Sequence, residues 1–122
     1  MNKMRGRKRK KIKKVAVPVE NGKLCEHFGK SNLFYVFKIK NNKIAGKEIF
    51  QPPPHDNGVY PKWLVEQGIT DVITGGIGQK AIDIFLEAGI NVFDGAPVDE
   101  PENLVQDFLA GKLESYGNFC DH

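Results

Sequence analysis

From Lys14 the chain reads KVAVPVE, a β-branched run bounded by Glu20-Asn21-Gly22, which predicts a buried strand and a turn. LFYVFKIK (33–40) and KIAGKEIF (43–50) are two further β-rich runs. Asn41-Asn42 between them tolerates the positive φ angles of a tight turn, so the pair is expected to be antiparallel. The three prolines of QPPPHDNG exclude a helix or a central strand and predict an exposed loop.

Beyond that loop the period changes. Residues 59–67 carry Pro61 near their start and Gly68 just after their end, the asymmetry of a short helix. TDVITGG reads as a strand running into glycines, and GQKAIDIFLEAG spaces Ala81, Ile82, Ile84, Phe85 and Ala88 as a helix closing on Gly89. INVFDG predicts another strand and turn. Asp99 with Glu102 resembles a capping box opening a third helix, whose Leu104, Val105, Phe108 and Leu109 would face the core. From about residue 113 periodicity is lost, and ESYGNFCDH predicts an irregular tail. The order β-β-β-α-β-α-β-α defines an α/β chain with a mixed sheet and helices on its faces.

At 122 residues, one domain with one core is expected. Charge divides that length unevenly. Residues 1–14 hold nine of the 18 basic residues and no acid, so the remaining nine face all 15 acids and the body carries about −6. The basic run cannot bury apolar surface. It predicts a disordered arm over residues 1–13 on an acidic domain spanning 14–122. Such an arm suits a weak, salt-sensitive contact with nucleic acid or an acidic partner. No apolar run approaches the roughly 20 residues of a membrane span, and no hydrophobic stretch follows the basic start as a secretory signal requires. The expectation is a cytoplasmic protein with reduced cysteines, available as thiols, metal ligands or redox groups.

Both cysteines stand in the same triplet pattern, Cys25-Glu26-His27 and Cys120-Asp121-His122. In an extended segment, residues two apart project to one side, so each triplet could offer a thiolate and an imidazole to one point, with the acid turned away. Such ligands suit zinc, copper(I), iron and iron–sulfur clusters better than magnesium or calcium. If both triplets converge, Cys25, His27, Cys120 and His122 form one metal site. His55, in the proline-rich loop, is a further candidate ligand. FGKS (28–31) ends like a phosphate-binding loop but has Leu24 where the first glycine must stand. GIGQKA (76–81) fits a dinucleotide-binding turn, with Asp94 about where a ribose-binding acid belongs. Against that reading, only one complete βαβ unit surrounds the glycines. Those glycines could instead let backbone amides approach an anionic ligand at a helix start. Serine-triad, zinc-protease and nucleobase-deaminase signatures are lacking, which favours binding over catalysis.

EHFGKSNLFYVFKI (26–39), the stretch from Pro54 to Phe93 with its GGIG turn, and the closing CDH together resemble the dinitrogenase iron-molybdenum cofactor biosynthesis family, related to nitrogenase cofactor carriers. The resemblance covers nearly everything from Val15 onward. It implies a three-layer ribonuclease H-like fold: a five-stranded mixed sheet, second strand antiparallel, helices on both faces. It further implies a non-enzymatic binding or carrier protein for an iron-molybdenum or iron–sulfur type cluster, with cluster donor and acceptor proteins as partners. His27 would contact the cluster, Gly29, Gly75, Gly76 and Gly78 would shape the pocket, and His55 matches a family loop histidine less specifically. A structural Cys2His2 zinc site and a nucleotide-binding module on the GGIG loop are the alternatives.

Overall fold

The computed structural model describes residues 12–31, 33–52 and 59–118. Residues 1–11 of the expected arm, His55, Cys120 and His122 lie outside the described residues.

β1 (Lys13–Glu20) begins one residue before the expected domain boundary and forms the centre of the sheet. Asn21 and Gly22, both at positive φ, turn it into β2 (Lys23–Leu24), which pairs antiparallel with its end. β3 (Leu33–Lys40) and β4 (Lys43–Phe50) form the expected hairpin, and Asn41 and Asn42 adopt φ 53° and 64°, as a tight hairpin turn demands. α1 (Val59–Glu66) crosses to β5 (Asp71–Ile73), α2 (Gln79–Glu87) leads to β6 (Asn91–Asp94), and α3 (Pro101–Ala110) precedes β7 (Tyr116–Asn118).

The strand order is β4-β3-β1-β5-β6-β7, with β2 attached to β1. β1, β5 and β6 are mutually parallel, and β3 runs antiparallel to β1. Alternation along β1 divides the core between two faces. Val15, Val17 and Val19 pack with Leu104 and Val105 of α3, whereas Ala16 faces the layer of Leu64, Ile82 and Phe85 from α1 and α2. Helices therefore cover both faces of a mixed sheet, as expected. Among the described residues no helix is long and apolar enough to cross a membrane.

Three expectations are corrected. The sheet has seven strands rather than five, because β2 and β7 add two short ones. The region after residue 113 is not wholly irregular: Tyr116–Asn118 pairs with β6, and the Asn118 amide donates to the Val92 carbonyl and the Asp94 carboxylate. Three residues reading Tyr-Gly-Asn are too short and polar to display a strand period, so backbone and amide bonds hold them instead. Finally, Asp99 and Glu102 do not form a capping box. Glu100 is the N-cap with Pro101 at the first helical position, and Asp99 Oδ1 accepts from the Glu100 N–H and the Asn103 amide.

Candidate functional site

Because β1, β5 and β6 are parallel, their carboxyl ends and following loops gather at one end of the sheet. The chain leaves β1 toward β3 on one side and returns as β5 on the other, a topological switch point of the kind at which open α/β sheets bind ligands.

The loop after β2 is anchored at both ends. The Leu24 and Cys25 N–H groups donate to the Asp99 and Pro18 carbonyls, each at 2.9 Å. Phe28 then enters the aromatic layer, with ring centroids 5.5 Å from Phe34 and 5.7 Å from Phe85. Between these anchors Glu26 and His27 are exposed. Cys25 is not: it is 2 % exposed, its thiol donating to the His27 carbonyl at 3.1 Å and facing Glu20 Oε1 at 3.7 Å. Burial, partly offset by the hydrogen bond to His27, pushes the thiol pKa up, and the Glu20 carboxylate adds to that. The side-chain arrangement thus differs from simple strand alternation. Cys25 turns inward, while His27 and Glu26 together line a groove.

The glycine turn after β5 lies directly against this loop. His27 and Gly76 form a parallel bridge: the Phe28 N–H donates to the Gly76 carbonyl (2.8 Å), and the Gly76 N–H donates to the Glu26 carbonyl (2.6 Å). A Cβ on Gly75 would lie 2.7 Å from the Glu26 carbonyl oxygen, and one on Gly76 would lie 3.2 Å from that oxygen and 3.5 Å from His27 Nδ1. These two glycines admit the backbone of a neighbouring segment. Gly78 differs again, acting as N-cap of α2 in extended conformation with open space around it. Gly29 sits exposed in the 3-10 turn Phe28–Lys30.

The third wall comes from the loop after β6. Gly95 and Ala96 donate their N–H groups to the Gly75 and Thr74 carbonyls, each at 3.0 Å, which brings Pro97 and Val98 to the opposite side. The result is an open groove of about 440 Å³ with Glu26, His27, Gly75 and Gly76 on one side and residues 95–98 on the other. The N–H groups of Gly76, Gly95 and Ala96 are all engaged by protein carbonyls. The anion-cradling role expected of the glycine loop is therefore not available to Gly76. Asp94, the would-be ribose acid, accepts from Asn118. Among the described residues no group of three or more His, Cys, Asp or Glu side chains could hold a metal ion. Among the described residues, His27 is the imidazole that the groove presents.

The expectation that Glu26 turns away from its histidine is corrected, since both line the groove, and residues 95–98 carried no sequence expectation of a site. The available signal was that a strand following α2 in a βαβ unit must deliver its next loop to the same end as the GGIG turn.

Small α/β proteins with an open groove at the carboxyl ends of their parallel strands are the class to which this geometry points. The model of the dinitrogenase iron-molybdenum cofactor family matches residues 11–111, and the chain belongs to that family. An uncharacterized protein of Methanocaldococcus jannaschii is 31% identical over 112 residues, covering 87% of this chain and 93% of its own. The crystal structure of PH0822, at 30% identity, superposes with a TM-score of 0.78 over 84% of this chain and 93% of that one. The apo form of the orange protein from Desulfovibrio gigas shares the fold, with a TM-score of 0.72, 24% identity and coverage of 88% and 97%.

Proposed function

We propose that this protein is a non-enzymatic carrier that takes an iron-molybdenum or iron–sulfur type cluster as cargo at the groove, with His27 as the protein ligand. The observation that carries the reading is the placement of His27: an exposed residue whose backbone is held by the Gly76 bridge and whose side chain lines an open groove in which the Gly76, Gly95 and Ala96 amides are bonded to protein carbonyls. A neutral imidazole supplies one soft-to-borderline coordination bond, suited to an open iron or molybdenum position. One such bond with a shallow surrounding surface fits a cargo that must later be released. Family membership supports the same cargo, and the orange protein, solved in an apo form, shows that a similarly folded protein has a ligand-free state.

Donor and acceptor proteins of cluster assembly, in the cytoplasm, would be the partners. We read the five long-path strands β4-β3-β1-β5-β6 as a ribonuclease H-like core and residues 1–13 as an accessory basic arm. The zinc alternative asks Cys25 to leave a buried position where its thiol is already hydrogen-bonded, and takes two ligands, Cys120 and His122, from outside the described residues.

Anaerobic purification followed by iron, molybdenum, zinc and acid-labile sulfide analysis tests the proposal. Iron with sulfide in the wild type and their loss in His27→Ala are expected. Zinc alone at one per chain would overturn it in favour of the structural-zinc reading.

A further inference from the structure

Four large hydrophobic residues among those described are strongly exposed, and two of them, Val98 and Tyr116, stand beside the groove from separate elements. Val98, 50% exposed, lines it directly. Tyr116, 73% exposed, opens β7 opposite Asp94, and its ring lies over Gly95, which itself lines the groove. The ring is so close that a Cβ on Gly95 would sit 2.8 Å from the ring carbon Cδ2. Gly95 also has φ +74°, so its backbone conformation and its lack of a side chain both leave the ring room to lie there. An aromatic side chain left this exposed beside a groove is suited to contact, since its two side-chain torsions leave little entropy to lose.

The surroundings identify what it would contact. Among the described residues no lysine or arginine lines the groove; its side chains are Glu26 and His27 on one side and Ala96, Pro97 and Val98 on the other, and the amides of Gly76, Gly95 and Ala96 are bonded to protein carbonyls. A cargo bound at His27 would face the apolar wall of Ala96, Pro97 and Val98 with the Tyr116 ring beside it over Gly95, a surface that suits the large, polarisable sulfide atoms of a cluster. Resting on the carrier reading above, we infer that Tyr116, with Val98, is a positioning residue for the cargo: the ring packs against a sulfide face and the phenol O–H donates to a sulfide. Hydrogen bonds to sulfide tune a cluster's reduction potential, so the hydroxyl and the ring contribute separately measurable effects.

The chain has three tyrosines, which makes the test direct. The full-length protein is produced with 3-fluorotyrosine, and the three fluorine resonances are assigned by single Tyr→Phe changes. An iron–sulfur cluster is then assembled anaerobically from ferrous iron and sulfide. The Tyr116 resonance should broaden or shift most, with buried Tyr60 and half-buried Tyr35 changing least. Tyr116→Ala should release iron to a chelator about tenfold faster, as expected when an aromatic–sulfur contact and a hydrogen bond are lost together. Tyr116→Phe should keep most of the retention while shifting the reduction potential. A wild type that holds the cluster, a His27→Ala variant that does not, and a Tyr116 resonance unmoved by loading would overturn this inference and leave the carrier reading standing. A wild type that takes up no cluster overturns both.

Discussion

Gly22 and Gly75 are both glycines in the turns that follow parallel strands, β1 and β5, and they are required for opposite reasons. Gly22 has φ +80° and nothing within 4 Å of where a Cβ would stand, so its constraint is conformational. Gly75 shows no positive φ, yet a Cβ would meet the Glu26 carbonyl oxygen at 2.7 Å and Glu26 Cα at 3.0 Å, so its constraint is space. The first kind of glycine sets the path of its own segment. The second lets another segment lie on top of it, and only the second builds the groove wall that carries His27.

Substitutions can separate the two kinds. Gly75→Ala should be the most damaging, destabilising by about 3 kcal/mol, the upper range for over-packing, because the atoms it strikes are backbone and cannot rotate away. It should also remove cluster retention, and chemical denaturation with anaerobic iron analysis would measure both; wild-type stability would show that the Glu26 contact is not a constraint. Gly22→Ala should cost about 1–2 kcal/mol, the penalty of a left-handed conformation for a side-chain-bearing residue, read from the same denaturation curves. Thr74, beside Gly75, offers a gain: its hydroxyl is fully buried and finds no hydrogen-bond partner among the described residues. Thr74→Val should stabilise by about 1 kcal/mol by removing an unsatisfied polar group, visible as a raised thermal midpoint. Gly78→Ala, at an uncrowded N-cap with φ −77°, should cost only about 0.5 kcal/mol, the difference between glycine and alanine as helix caps, read from the same denaturation curves.

The smallest effect belongs to the exposed Lys47–Glu102 pair, 2.9 Å apart. The hydrogen bond with Lys47 lowers the Glu102 pKa, and the same bond raises that of Lys47. Its stabilisation is present between the two ordinary titration ranges. It is lost as pH falls through the lowered carboxyl pKa or rises through the raised lysine pKa. The thermal midpoints of wild type and Glu102→Gln should therefore converge at low pH. A gap that widens on acidification would exclude this pair as its source.

The sequence made the strands and helices with long, consistent periods legible. The Asn41-Asn42 hairpin, the helix over 79–87 and the opening strand all follow from local pattern. What was not legible rests on contacts between distant segments. Tyr116–Asn118 becomes a strand only because β6 offers an unpaired edge. The glycines of GGIG look alike in sequence, but only the neighbouring Glu26 backbone distinguishes Gly75 and Gly76 from Gly78. Cys25 faces inward because the Pro18 and Asp99 carbonyls fix the local backbone, overriding simple alternation.

The bridge between His27 and Gly76 also bears on when the groove forms. Hairpins β1–β2 and β3–β4 close over a few residues, but this bridge must wait for the β4-to-β5 crossover to bring β5 beside β1. Contacts that close longer loops come at greater entropic cost and tend to form late. The loop bearing His27 should therefore be among the last parts of the chain to set. Pulse-labelling hydrogen exchange during refolding should find the Gly76 and Phe28 amides protected after those of β3 and β4; simultaneous protection would mean that sheet and groove form in one step. On the expected order, the protein has its scaffold before it has its ligand.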